Sequence, residues 1–121
     1  MGLTLLSDPL ILEAAIPMPR QKPHALVKAY LETLPRPFRT TGVADFRIEA
    51  ERGGKFRSLV GNPDLDALYV GAVVTLHPTP EEELQVRLTY NFATPYWATE
   101  EEIRALKEEM DGLIDYMESF A

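Results

Sequence analysis

The sequence predicts an α+β fold: a mostly antiparallel sheet of about five strands with two helices, in the order β-α-β-β-β-β-α, the long C-terminal helix lying on the sheet. Three observations carry this. Apolar side chains recur every second residue over 43–50 and 84–92, which is the strand period. They recur every three or four residues over 26–34 and 103–120, which is the helix period. Clusters of Gly, Pro, Asn and Asp separate these stretches.

The first strand is expected where Leu10, Leu12, Ala14 and Ile16 alternate with Ile11, Glu13 and Ala15. Pro17 and Pro19 stop it, and proline at its end fits an edge strand or one that ends near an edge. Pro23 fits the first turn of a helix over about 23–34, with Leu26, Val27, Tyr30, Leu31 and Leu34 at helical spacing. On that helix Lys28 and Glu32 stand one turn apart as a surface pair.

From Val43 the period becomes two: Ala44, Phe46, Ile48 and Ala50 point one way, Val43, Asp45, Arg47 and Glu49 the other. The segment ERGG at 51–54 reads as a hairpin turn into a strand over Lys55 to Val60. After the loop GNPDLD comes ALYVGAVVTL at 67–76, apolar on both faces and therefore expected in the middle of the sheet, covered on both sides. HPTPEEE turns the chain into a last strand, where Leu84, Val86, Leu88, Tyr90 and Phe92 alternate with polar residues.

The closing helix begins with a capping box, Thr99 followed by Glu102, with Glu100 and Glu101 where the helix dipole favours acids. Ile103, Leu106, Met110, Leu113, Met117 and Phe120 form its apolar stripe. About 22 helical residues span roughly 33 Å and match the strands in length, so the stripe is expected to cover Phe46, Ile48, Val86, Leu88, Tyr90 and Phe92. Gly112 interrupts good helix formers; close approach of another backbone would explain it, and so would drift at a lightly packed position.

A chain of 121 residues suits one domain, and residues 1–121 are read as such. No run reaches the roughly 18 apolar residues of a membrane helix, and the opening MGLTLLSDPL lacks a basic signal-peptide start, so no membrane and a cytoplasmic location are expected. The absence of cysteine excludes disulfides, thiolate metal sites and thiol nucleophiles. Eight Arg against four Lys, ten Pro, and only two Asn and two Gln give a thermophile-like composition. The formal charge of −7 divides unevenly: residues 1–60 carry net +3 and residues 61–121 net −10. An acidic half of that size argues against nucleic acid and for a solvated face, head-to-tail self-contact or a basic protein partner.

Catalytic signatures do not emerge, and neither a catalytic residue, a metal ligand nor a cofactor is assigned. His24 and His77 lack metal spacing, although His77 lies near Glu81, Glu82 and Glu83. Asp64 and Asp66 sit in an Asn-Pro-Asp turn that needs no catalytic explanation. Ser7, Ser58 and Ser119 have no nucleophile-elbow context. Arg52, Lys55 and Arg57 flank Gly53 and Gly54 and form the best anion-binding candidate, with ordinary hairpin chemistry as the alternative. Tyr90, Phe92, Tyr96 and Trp97, with Met110 opposite, close the end of the core or line the mouth of an apolar ligand site.

In outline alone, a strand, a helix, an antiparallel sheet and a long last helix resemble a reduced helix-grip fold of the START/Bet v 1 kind. That resemblance implies a small apolar ligand between sheet and helix. The residues themselves favour a non-catalytic binding or accessory protein that works through protein contacts, as a homo-oligomer or as a subunit of a larger assembly. The apolar, edge-prone N-terminus and the charge polarity are the reasons.

Overall fold

The computed structural model describes residues 2–54, 67–93 and 95–121. It has the expected α+β architecture. Strands β1 (Thr4–Leu6) and β2 (Leu10–Pro17) precede helix α1 (Pro23–Glu32). Strands β3 (Arg39–Ala44), β4 (Arg47–Arg52), β5 (Val70–Pro78), β6 (Glu83–Phe92) and β7 (Tyr96–Ala98) follow, and helix α2 (Glu100–Glu118) closes the chain. Five strands form an antiparallel sheet in the order β2-β6-β5-β4-β3, and β1 pairs with β7 in a two-stranded ribbon.

The expected edge position of the first strand holds, since β2 lies at one margin of the sheet. The apolar run does occupy the centre as β5, but its two faces differ: Val70, Ala72, Val74 and Leu76 are buried, while Gly71, Val73 and Thr75 are half-buried. Both helices pack on the first of these faces, α1 against β3, β4 and β5 and α2 against β2. The second face carries a mixed row, Ile11, Thr89, Val73 and Glu49, linked through the strand registers.

One strand assignment changes. The alternation over 43–50 hides a two-residue turn at Asp45 and Phe46, which folds β3 onto β4 with Val43 opposite Ile48. The turn shifts the facing by one residue, since Ala44 pairs with Arg47 and Val43 with Ile48, but apolar Ala44 and the turn residue Phe46 fall in step with Ile48 and Ala50 in the sequence, and no glycine marks the turn. Val43 therefore shares a face with Ile48, and Phe46, expected beneath the last helix, stands 58% exposed at the hairpin tip. The Leu76 N–H donates to the Phe46 carbonyl (2.9 Å) and ties that tip to β5. At the far end of β4 the chain leaves through Gly53, whose φ of 75° and a Cβ position 2.1 Å from the Leu68 carbonyl oxygen admit only glycine. The strand expected over 55–60 lies outside the described residues.

Helix α2 answers to its pattern. The Glu102 N–H donates to Thr99 Oγ1 (3.1 Å) and the Thr99 N–H to Glu102 Oε1 (2.9 Å), so both halves of the capping box form. Leu106, Met110, Leu113 and Met117 are buried against the sheet with Ile48, Val86, Leu88 and Tyr90, while Phe92 is half-buried. Fully burying each such aliphatic side chain contributes about 1.5–3 kcal/mol. The Lys28–Glu32 pair forms at 2.9 Å on exposed positions and adds only about 0.3–0.5 kcal/mol.

Candidate functional site

Two places combine side chains that ordinary packing does not require. The first is a charged cluster inside the helix–sheet layer. Glu109 projects from α2 at the spacing of its apolar stripe, three residues after Leu106 and four before Leu113, and is buried to 9% exposure. Arg52 reaches it from the end of β4 with a two-pronged ion pair, Nη2 to Oε1 at 2.8 Å and Nη1 to Oε2 at 3.0 Å. Arg36, from the segment joining α1 to β3, donates to Oε2 at 3.2 Å, and the Tyr90 hydroxyl of β6 donates to Oε1 at 3.1 Å. Four donors thus fill the lone pairs of one carboxylate.

Neighbouring groups hold the cluster in shape. Arg52 Nη1 also donates to the Arg36 carbonyl (2.8 Å), and its guanidinium lies 4.4 Å above the centre of the Phe38 ring. The Tyr30 hydroxyl of α1 donates to the Glu109 carbonyl (2.6 Å), fixing one helix against the other. That contact explains Gly112, where a Cβ would stand 2.3 Å from the Tyr30 hydroxyl oxygen. The close approach is made by a side chain rather than by the second backbone the sequence suggested. Burial and the Glu109 charge raise the Tyr90 phenol well above its ordinary value, with Arg52 partly offsetting them. Burial, then Glu109 and Asp115, raise Tyr30 to about 12. With its acceptor sites filled, Glu109 is equipped to lock α2, β4 and β6 together and poorly equipped to take a proton from a substrate.

Outside this cluster, Pro35, Arg36, Pro37, Arg52 and Gly53 line a shallow depression of about 300 Å³. Arg52 was the leading anion-binding candidate, and its charge is directed inward to the chain's own carboxylate. Lys55 and Arg57, its expected companions, lie outside the described residues, as do Asp64 and Asp66. His24 is half-buried in α1, and His77 is exposed on the sheet face away from both helices, beside Thr75, Gln85 and Arg87. Among the described residues, no group of three or more His, Asp or Glu stands where it could hold a metal ion. Nor is any described helix long and apolar enough to cross a membrane.

The second place is the β1–β7 ribbon. Leu5 and Trp97 are direct cross-strand partners and therefore share a face, which Leu3 joins two residues away. These side chains are 41%, 52% and 54% exposed for Leu5, Trp97 and Leu3. The opposite face of the ribbon, Leu6, Tyr96 and Ala98, is buried, and the Tyr96 hydroxyl donates to Glu102 Oε2 at 2.6 Å. An adjoining groove of about 440 Å³ is lined by Gly2, Leu3, Thr99, Glu100 and Glu101.

The aromatic group singled out from the sequence is thereby distributed rather than assembled. Tyr90 and Met110 are core, Phe92 is half-buried, and Tyr96 and Trp97 point to opposite sides of β7. Neither Glu109 nor Arg36 stands in a recognisable motif, and Tyr30 reads from the sequence only as part of the α1 stripe. An acid at the spacing of an apolar stripe was the available signal for Glu109; Arg36 and Tyr30 meet it only through the tertiary fold. No protein-family model and no curated protein matches the sequence.

Proposed function

We propose that this is a non-catalytic accessory protein that acts through protein contacts, as a homo-oligomer or as a subunit of a larger assembly. The observation that carries this reading is the exposed row Leu3, Leu5 and Trp97 beside the acids Glu100 and Glu101. Large apolar side chains gathered on one face, rimmed by charge and including a tryptophan, are the composition of a protein interface. The saturated Glu109 carboxylate supports the non-catalytic part. A cysteine-free chain of charge −7 accords with a cytoplasmic setting and with partners other than nucleic acid.

Less supports a carrier of apolar ligands between sheet and last helix, because the buried carboxylate and its cations occupy that layer beside Tyr90 and Met110. Trp97 is the single tryptophan, so its fluorescence reports on this face alone. Mixing with a partner protein is expected to shift its emission to the blue, and Trp97→Ser is expected to weaken that association without lowering stability. A chain that remains monomeric at every concentration, and from which cross-linking in its host cell recovers no other protein, would overturn the reading.

A further inference from the structure

We infer that the free edge of β2 is the seam of a homodimer, pairing antiparallel with β2 of a second copy about a twofold axis at Leu12. This rests on the self-association reading above and places self-association on β2, leaving the Leu3, Leu5 and Trp97 face to a different protein partner. The direction of the backbone groups comes first. The Met18 N–H donates to the Glu82 carbonyl (3.0 Å), continuing the register in which Pro17 faces Glu83. Backbone groups alternate sides along an antiparallel strand. Leu10, Leu12, Ala14 and Ile16 therefore turn their N–H and C=O groups to β6, and Ile11, Glu13 and Ala15 turn theirs outward. Pro17, of the same parity as the outward set, has no N–H to leave unpaired.

The two margins of the sheet are not alike. On β3 the ladder is broken between Thr40 and Gly42, and Arg39 charges its start, features that blunt an edge. Along β2 the pairing with β6 runs unbroken from Leu10 to Pro17. Its one charge, Glu13, stands 3.7 Å from Arg87. Leu10, Leu12 and Ala14 are only half-buried although they lie on the helix-covered face, so the core ends open at this margin.

The helix above it is complementary to its own copy. One flank of α2 holds Glu109, Gly112 and Tyr116 against α1, and the sheet side is the buried stripe. Because α1 covers β3 to β5 and α2 lies on β2, the remaining flank, Ile103, Lys107, Ile114 and Glu118, looks over the β2 edge. Ile103 and Ile114 are half-buried there, and Lys107 and Glu118 are exposed. An antiparallel meeting of two such flanks, with Ile103 opposite Ile114 of the second copy, brings the isoleucines together. In the Leu12-centred register Ile11 faces Glu13 of the second copy, so the two Glu13 carboxylates do not oppose each other. A strand edge alone would bury less than the roughly 800 Å² per partner of a stable dimer, and the α2 flank extends it.

Residue-resolved amide hydrogen exchange on the full chain at high concentration tests this. Ile11, Glu13 and Ala15, which would face water in a lone chain, are expected to exchange as slowly as Leu12 and Ala14. Glu13→Pro removes an outward N–H from each copy without touching the β2–β6 ladder. It is expected to raise the dimer dissociation constant about 100-fold, freeing the Ile11 and Ala15 amides while Leu12 and Ala14 stay protected. Ile114→Asp, on the helix flank, should weaken the dimer likewise and serves if the proline variant does not fold. A dimer whose Ile11 and Ala15 amides exchange fast would overturn the seam and leave self-association standing. A chain that never dimerises would overturn both.

Discussion

Replacing Glu109 by Gln removes one charge and almost no volume, so it isolates what the buried carboxylate does. In the native chain its oxygens face Arg52 through two bonds, Arg36 through one and the Tyr90 hydroxyl through another. An amide presents one oxygen and one NH2 group, so whichever way it turns, a donor meets a donor. Two guanidinium groups, one of them on the buried Arg52, then lack their shared counter-ion. Breaking a buried ion pair from one side costs about 3–5 kcal/mol, a large share of the roughly 5–15 kcal/mol that separates folded from unfolded chains. For 121 residues the unfolding entropy is about 0.25 kcal/mol/K, which converts the loss into a fall in Tm of about 12–20 °C. Thermal and urea unfolding followed by circular dichroism measure it, with an unchanged urea slope confirming that the folded state is otherwise the same. Glu109→Met combined with Arg52→Met should cost less than the two single changes added. A Glu109→Gln protein within about 4 °C of the parent, equivalent to roughly 1 kcal/mol, would refute the claim that this cluster fastens α2 to the sheet.

Three further outcomes follow from the same layer. Gly112→Ala gains about 1 kcal/mol of helix propensity, yet its Cβ would press on the Tyr30 hydroxyl oxygen from 2.3 Å. A net loss of about 1–2 kcal/mol is expected in urea unfolding, turning neutral or favourable when Tyr30→Phe removes that oxygen. Alkaline pH should destabilise the fold. Tyr90 and Tyr30 keep their protons in the native state above the ordinary tyrosine value of 10.0, Tyr30 to about 12, so the unfolded chain ionises first and binds fewer protons. Stability then falls from about pH 10 upward by at most about 1.4 kcal/mol per pH unit for Tyr90, with a smaller, solvent-screened addition from the more exposed Tyr30. Tyr90→Phe should flatten that slope in unfolding curves taken between about pH 9 and 11. Thr99→Ala should cost about 1 kcal/mol through the lost capping box, measurable as faster amide exchange in the first turn of α2.

Periodicity was enough to read β2, α1, β6 and α2 because each buries one face, and burial of one face is what writes a period into a sequence. Phe46 shows where that logic fails: the turn at Asp45 and Phe46 shifts the facing by one residue, but Ala44 and Phe46 happen to be apolar in step with Ile48 and Ala50, so the shift leaves no mark in the sequence. The apolar run of β5 was correctly central, yet both described helices pack on one of its faces, and Gly71, Val73 and Thr75 on the other are only half-buried. The β1–β7 ribbon left no signal because segments of three residues are too short to show a period. In the charged cluster only Glu109 was legible, as an acid on an apolar stripe. Its partners Arg36, Arg52, Tyr30 and Tyr90 come from separate elements, and nothing local in the sequence links them.

Native mass spectrometry of the unmodified protein over a dilution series tests the account most directly. The account predicts a species of twice the 13.6 kDa chain mass that carries no added small molecule and dissociates on dilution. A single chain mass at every concentration, bare or carrying a small bound molecule, would contradict self-association.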